Sequence, residues 1–219
     1  MRNDPQGTAH DSSTAKEPPG RWREFSDDRL DASLRAALEL FAAHGYHGTS
    51  IRMIADAAGL SVPGLYHHYP SKNALLETLV TRAMGELLEH SRVAAAEAGG
   101  SPTARFDNIV EALCLFHMSR RRQAFVASTE MRSMPAELRK SHVRSRDIEQ
   151  SMLADAIADG VAEGTFDCAS PQHAARAISS LCVSIASWYR SDGPLSPEQI
   201  VDQYLGYCRR IAGADHGAD

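Results

Sequence analysis

Between Ser50 and Lys72 the sequence SIRMIADAAGLSVPGLYHHYPSK gathers side chains suited to gripping a polyanion. Ser50 and Ser61 each stand where a helix would begin, and hydroxyls with free backbone amides at such a start attract phosphate oxygens. Tyr66, His67 and Lys72 are donors able to hold a nucleic-acid backbone on either side of a groove. Arg52 is the best single candidate for a guanine contact, or else for a phosphate. Val62, Pro63 and Gly64 are small. A small helix tip lets the backbone approach base edges, with apolar contact to a thymine methyl as the natural readout. The chemistry on offer is binding.

These residues need elements to hold them. Leu30, Leu34, Leu38 and Phe41 recur on one face of a helix that Gly45 stops. Ile51, Ile54, Ala55 and Ala58 mark a second helix, and Ala55 is small where two helices would cross closely. Gly59 sits at the turn that follows, where a positive φ is cheap only for glycine. The next segment, Ser61 to Tyr69, is too short for a stable lone helix, so Ile51, Ile54, Leu60 and Leu65 must brace it. Pro70 closes it, and Ser71 caps a long helix to about Glu97. The spacing predicts a helix-turn-helix over 50–69, inside an N-terminal three-helix domain over 27–72. A larger helical domain is expected over 73–212. Ser101-Pro102, Ser170-Pro171 and Ser196-Pro197 repeat one helix-start signal, and Pro135 with Glu137 supplies another. No alternating apolar and polar run bounded by turns occurs, so the expected class is all-α with about nine helices. Residues 1–26 and 213–219 read as tails, the first disordered.

Composition narrows the field. The chain has 219 residues, 43% of them hydrophobic and 23% charged, which is ordinary for a globular protein. Formal net charge is −5, and from Arg29 to Lys72 four basic residues face three acidic ones, a local +1. Any nucleic-acid reading therefore rests on geometry and not on bulk charge. The polar N-terminus does not read as a secretory signal, and no long apolar run suggests a membrane span, so the expected place is the cytoplasm. Cys114, Cys168, Cys182 and Cys208 form no CxxC pair and read as free thiols. His44 with His47, and His67 with His68, lack the further ligands a zinc site wants, so no metal is expected. No nucleophile elbow, phosphate-cradling glycine loop or H-E-x-x-H is present, so neither an enzyme nor a cofactor site is expected. The other class in play is a helical interaction module.

The stretch from Leu34 to Leu76, with ALELFAAHGYHGTSIRMIADAAGL followed by SVPGLYHHYPSKNALL, resembles the TetR family of bacterial transcriptional regulators. That resemblance implies an all-α homodimer with an N-terminal helix-turn-helix and a C-terminal ligand-binding and dimerisation domain. It implies binding to a double-stranded operator, most often as a repressor released by a small effector. By position, Ser50, Arg52, Ser61, Pro63, Tyr66, His67 and Lys72 match the family's DNA-contacting sites. His68 departs from the apolar or aromatic residue often found there. Further on, SWYRSDGPLSPEQIVDQYLG from Ser187 to Gly206, with EMRSMPAEL, SRDIEQ and GVAEGTFD before it, is similar to a subgroup whose members often sense acyl-CoA thioesters or related lipid and steroid metabolites. Another apolar ligand such as a drug is the alternative.

The C-terminal half carries its own cues. From Arg120 to Arg146 eight basic residues face Glu130 and Glu137, a net +6 that would suit the phosphates of a ligand such as coenzyme A. A solvated helix face is the plainer alternative. Phe106, Phe116, Phe125, Met131, Met152 and Trp188 could line an apolar ligand pocket, with Thr129 and Glu130 adding polar specificity, though such residues are more often plain core. The helices starting at Ser170 and Ser196 carry apolar faces, from Ala174 to Trp188 and from Ile200 to Cys208. Two such faces suit a four-helix interface with a two-fold mate. The helix from Ser71 belongs to both domains and is the expected lever between them.

Overall fold

A computed structural model describes residues 20–26 and 29–214. Among the described residues there are nine α-helices and no extended strand: α1 (Ala32–Gly48), α2 (Ile51–Ala57), α3 (Val62–His68), α4 (Lys72–Glu97), α5 (Pro102–Ser119), α6 (Arg121–Thr129), α7 (Ala136–Glu163), α8 (Pro171–Trp188) and α9 (Pro197–Ile211). The starts follow the expected side chains. Asp31, Ser50, Ser61, Ser71, Ser101 and Ser196 each accept the amide three residues on, and Ser196 completes a capping box with Gln199. Ser170 departs from the pattern: its hydroxyl bonds His173 Nδ1 at 2.9 Å, and α8 begins without a side-chain cap. Gly45 breaks α1 internally with φ 70° and ψ 167°, and a final turn carries the chain on to Gly48.

Two main apolar cores result, beside a small cluster of Trp22, Ala94 and Ala112. One gathers Leu34, Leu38 and Phe41 of α1, Ile54 and Ala55 of α2, Leu65 of α3 and Leu75 to Val80 of α4. The other joins α4, α5, α7, α8 and α9 around Phe106, Ile109, Leu113 and Ile157. The small N-terminal core does not stand alone. Val126 and Ala127 of α6, with Met134 and Leu138, pack into it from the larger domain. Three helices therefore contribute to both cores: α4, as its length suggests, α6, which is much shorter, and α7 through Leu138 near its start.

The reading of 1–26 as a tail is corrected over Gly20–Ser26, which lies against α4 and α5. Trp22 is only 2% exposed. Its indole Nε1 donates to Glu97 Oε2 at 3.0 Å, and the Gly20 amide donates to the same oxygen at 2.7 Å. Arg23 forks onto Glu111 at 2.6 and 2.9 Å. Phe25 stacks on His90, and Arg120, itself paired with Glu86, donates to the Ser26 carbonyl at 2.7 Å. A polar composition concealed two aromatic anchors, each able to bury a large area. Gly213 and Ala214 are likewise placed: the Asp167 amide donates to the Gly213 carbonyl at 2.9 Å. Residues 1–19 and 215–219 lie outside the described residues.

The four cysteines are free. Cys114, Cys182 and Cys208 are buried, and the Sγ atoms of Cys114 and Cys182 lie 3.9 Å apart. The neighbouring Cys114 and Cys208 thiols, together with burial, push the Cys182 thiol well up. No described helix is long and apolar enough to cross a membrane.

Candidate functional site

The polar residues singled out above fall on α2, α3 and their caps. Ser50, Arg52, Ser61, Pro63, Tyr66 and His67 are exposed, while Val62 and Gly64 are half-buried. Leu65 is the one buried residue of α3, at 0% exposure. The seven-residue helix is thus pinned by one leucine and flanking partly buried contacts from Leu60, Val62 and Tyr69. The chain reaches it through Gly59, with φ 70° and open space around its α-carbon. The Ser61 hydroxyl accepts the Gly64 amide at 3.1 Å. A β-carbon at Gly64 would stand 3.2 Å from that hydroxyl, so a larger residue there presses on the cap. At the other end the Tyr69 hydroxyl donates to Asp31 Oδ2 at 2.6 Å, tying the exit of α3 to the start of α1. Burial and that carboxylate push the Tyr69 phenol up to about 12.

Lys72 differs from the sequence reading. Its Nζ donates to the carbonyls of Tyr46 and Thr49, each at 2.7 Å, and sits 4.1 Å above the Tyr46 ring. Two of its three N–H groups are therefore committed to the α1–α2 joint, and burial lowers its pKa. Nothing in local sequence signals this, because the acceptors are backbone carbonyls more than twenty residues away.

A second site lies in the larger domain. Helices α4 to α8 enclose a cavity of about 300 Å³. Met84, Leu87, Leu113, Phe116 and Val183 supply apolar wall. His117, His142 and Glu149 also line it, each only 4% exposed. Both ring nitrogens of His117, Nδ1 of His142 and Oε1 of Glu149 have no hydrogen-bond partner among the described residues. The other Glu149 oxygen accepts from Ser179 Oγ at 3.2 Å. Burial lowers His117 to about 4, and burial with the nearby Arg146 charge lowers His142 to about 4. Burial raises Glu149 to about 7, against the Ser179 bond and Arg146.

Of the pocket residues expected from sequence, Phe116 and Met131 line this cavity, and Phe106, Phe125, Thr129, Met152 and Trp188 do not. Phe106 packs edge-on against Phe166 in the core, with ring centroids 5.1 Å apart. Phe125 and Met152 pack against the core, the Thr129 hydroxyl donates to the Phe125 carbonyl, and Trp188 is 44% exposed beside Tyr204. Apolar bulk alone does not reveal the polar floor. The signal for it is a polar residue on an apolar stripe: His142 and Glu149 fall in helical register with Leu138, Leu153 and Ile157.

The cationic run also divides. Arg120 pairs with Glu86 and Arg122 with Glu39, while Arg121 donates to the Ala186 carbonyl. Arg146 lines the cavity, and Arg132, Arg139, Lys140 and Arg144 are exposed nearby in sequence. On α8 and α9, Ile178, Ile185, Ile200 and Cys208 are buried in their own core. An aromatic row of Trp188, Tyr204 and Tyr207 remains at the surface end, with Trp188 and Tyr207 exposed.

A braced short helix behind a glycine turn forms a helix-turn-helix, and the helical domain that follows holds a cavity. The family model described as "Bacterial regulatory proteins, tetR family" matches residues 34–79, and that described as "Tetracyclin repressor-like, C-terminal domain" matches 99–212. The chain belongs to the TetR family of DNA-binding transcriptional regulators and is not an enzyme. It is 29% identical over 179 residues to the HTH-type transcriptional repressor KstR2 of Mycolicibacterium smegmatis, across 81% of this chain and 87% of that protein. The solved structure of the ketosteroid transcriptional regulator KstR2 of Mycobacterium tuberculosis superposes with TM-score 0.76 at 25% identity, covering 87% of this chain and 96% of that one. AibR, solved in complex with isovaleryl coenzyme A and operator DNA, superposes with TM-score 0.71 at 25% identity, over 80% and 95% of the two chains.

Proposed function

We propose that this protein is a cytoplasmic homodimeric repressor that holds its operator through paired α3 helices and releases it when a coenzyme A thioester enters the α4–α8 cavity. The observation that carries this reading is the sharing of α4 and α6 between the two sites. Ala83, Met84 and Leu87 of α4 line the cavity, while Leu75, Leu76, Leu79 and Val80 of the same helix form the head core. On α6, Ala127 borders both. The turn after α6 also abuts the head, since a β-carbon at Gly45 would stand 3.3 Å from Glu130 Oε1.

Operator contact is assigned to Ser50, Arg52, Ser61, Val62, Pro63, Gly64, Tyr66 and His67, with Lys72 mainly fixing the joint behind them. Dimer contact is assigned to the ends of α8 and α9 around Trp188 and Tyr207, which continue the aromatic row outward. Two heads on a two-fold axis reach successive major grooves about 34–36 Å apart. An effector releases DNA only through differential affinity for the two dimer states. The 300 Å³ cavity encloses an acyl group and not a whole coenzyme A, so the phosphates stay outside near Arg146 and the exposed cations of α7. A thioester-binding relative, AibR, supports the class.

Binding-site selection with the full chain tests the first half. The expected product is an inverted repeat bound by one dimer. Titration of that complex with acyl-CoA thioesters and the matching free acids tests the second. Release by thioesters alone is expected, whereas equal potency of the free acids removes phosphate recognition.

A further inference from the structure

The cavity floor asks for a particular ligand chemistry. Most of its exposed wall is apolar, so the body of the ligand is mostly apolar. Yet three of the lining side chains, each 4% exposed, carry buried polar atoms with no partner among the described residues: both nitrogens of His117, Nδ1 of His142 and Oε1 of Glu149. Buried polar atoms in folded proteins are ordinarily bonded, and leaving them unbonded is costly. These belong to three points on two helices, α5 and α7, facing one cavity.

Resting on the reading of this cavity as the effector site, we propose that the effector carries an uncharged oxygen function, a ketone or hydroxyl, at its buried end, docked on His117, His142 and Glu149. Charge argues against the other heads. A carboxylate or an ammonium at the buried end would lose its hydration, and a floor whose imidazoles and carboxyl are held toward their uncharged forms offers it no full counter-charge. A plain hydrocarbon end would leave every one of these atoms unbonded. A neutral oxygen carries no such penalty, and a neutral imidazole offers one donor and one acceptor to meet it. The downward shift of both imidazoles and the upward shift of Glu149 agree with an uncharged floor.

The test uses five probes with one phenylbutyl body: butylbenzene, benzylacetone, phenylbutanol, phenylbutanoate and phenylbutylamine. Each is titrated calorimetrically into the full chain and into His117→Phe and Glu149→Gln. Benzylacetone or phenylbutanol should bind about tenfold or more tighter than butylbenzene, and tighter than either charged probe. His117→Phe should abolish that preference while butylbenzene binding persists, which shows that the cavity is intact. Glu149→Gln, which removes ionisation but keeps a polar head, should retain the preference. Equal binding of butylbenzene and the oxygenated probes overturns the proposal but leaves the cavity as the effector site. Tightest binding of phenylbutanoate or phenylbutylamine overturns it in favour of a charged ligand. If no probe binds, this proposal fails; if acyl-CoA thioesters also leave operator DNA in place, the effector reading fails with it.

Discussion

Glu149→Gln should make the protein more resistant to unfolding at alkaline pH than at acid pH, relative to the parent. Glu149 is fully buried, and burial raises it from the ordinary 4.5 to about 7. Between those values the unfolded chain has lost its proton while the folded chain retains it. The unfolded state binds fewer protons, so stability contributed by this group falls as pH rises through the window and levels off above about 7. At roughly 1.36 kcal/mol for each tenfold change in proton affinity, the whole effect is about 3 kcal/mol. The amide introduced by Glu149→Gln cannot ionise and still accepts from Ser179, so the variant escapes the loss. His117 and His142 act oppositely: lowered from 6.5 to about 4, they cost stability as pH falls below 6.5. Both proteins carry them, so subtracting the two curves isolates Glu149. Urea unfolding from about pH 5 to 8 reads most of it, and the variant-minus-parent difference should climb by about 2.5 kcal/mol toward pH 8. A flat difference across that range would mean the carboxyl is already ionised in the folded state, and the description of the cavity floor would be wrong.

Leu65→Ala should cost about 2–5 kcal/mol and abolish operator binding, because it removes the buried anchor of α3; urea unfolding and a gel-shift titration read the two effects. Trp22→Ala should cost about 3–5 kcal/mol by unseating the N-terminal segment from α4, visible as a lowered unfolding midpoint. Tyr207→Glu should leave monomer stability within about 0.5 kcal/mol but halve the mass seen in analytical ultracentrifugation, since the residue is exposed in the chain and assigned to the dimer face.

Much of the head is legible in sequence because its signals are local. Capping side chains act three residues away, Gly59 declares its own turn, and the apolar spacing of Leu34, Leu38 and Phe41 fixes the buried face of α1. The failures share the opposite character. Lys72 reads as a surface donor until distant carbonyls come to meet it. Trp22 and Phe25 sit in a polar stretch with no periodicity, and only α4 supplies Glu97 and His90 as their partners. Large apolar side chains point to a ligand pocket only in part, because close packing consumes Phe106 and the open space is floored by polar groups. Cavities arise where facing helices fail to fill a volume, a property of packing that no single helix encodes.

The most direct measurement is binding-site selection on the parent and on Val62→Thr, Pro63→Ala and Tyr66→Phe. If α3 lies in the major groove with its tip toward the bases, changes at Val62 and Pro63 should shift the preferred base at specific positions, each by about 1–3 kcal/mol. Tyr66→Phe should instead weaken all sequences alike. Identical preferences and affinities in all four proteins would contradict the assignment of α3 as the reading element.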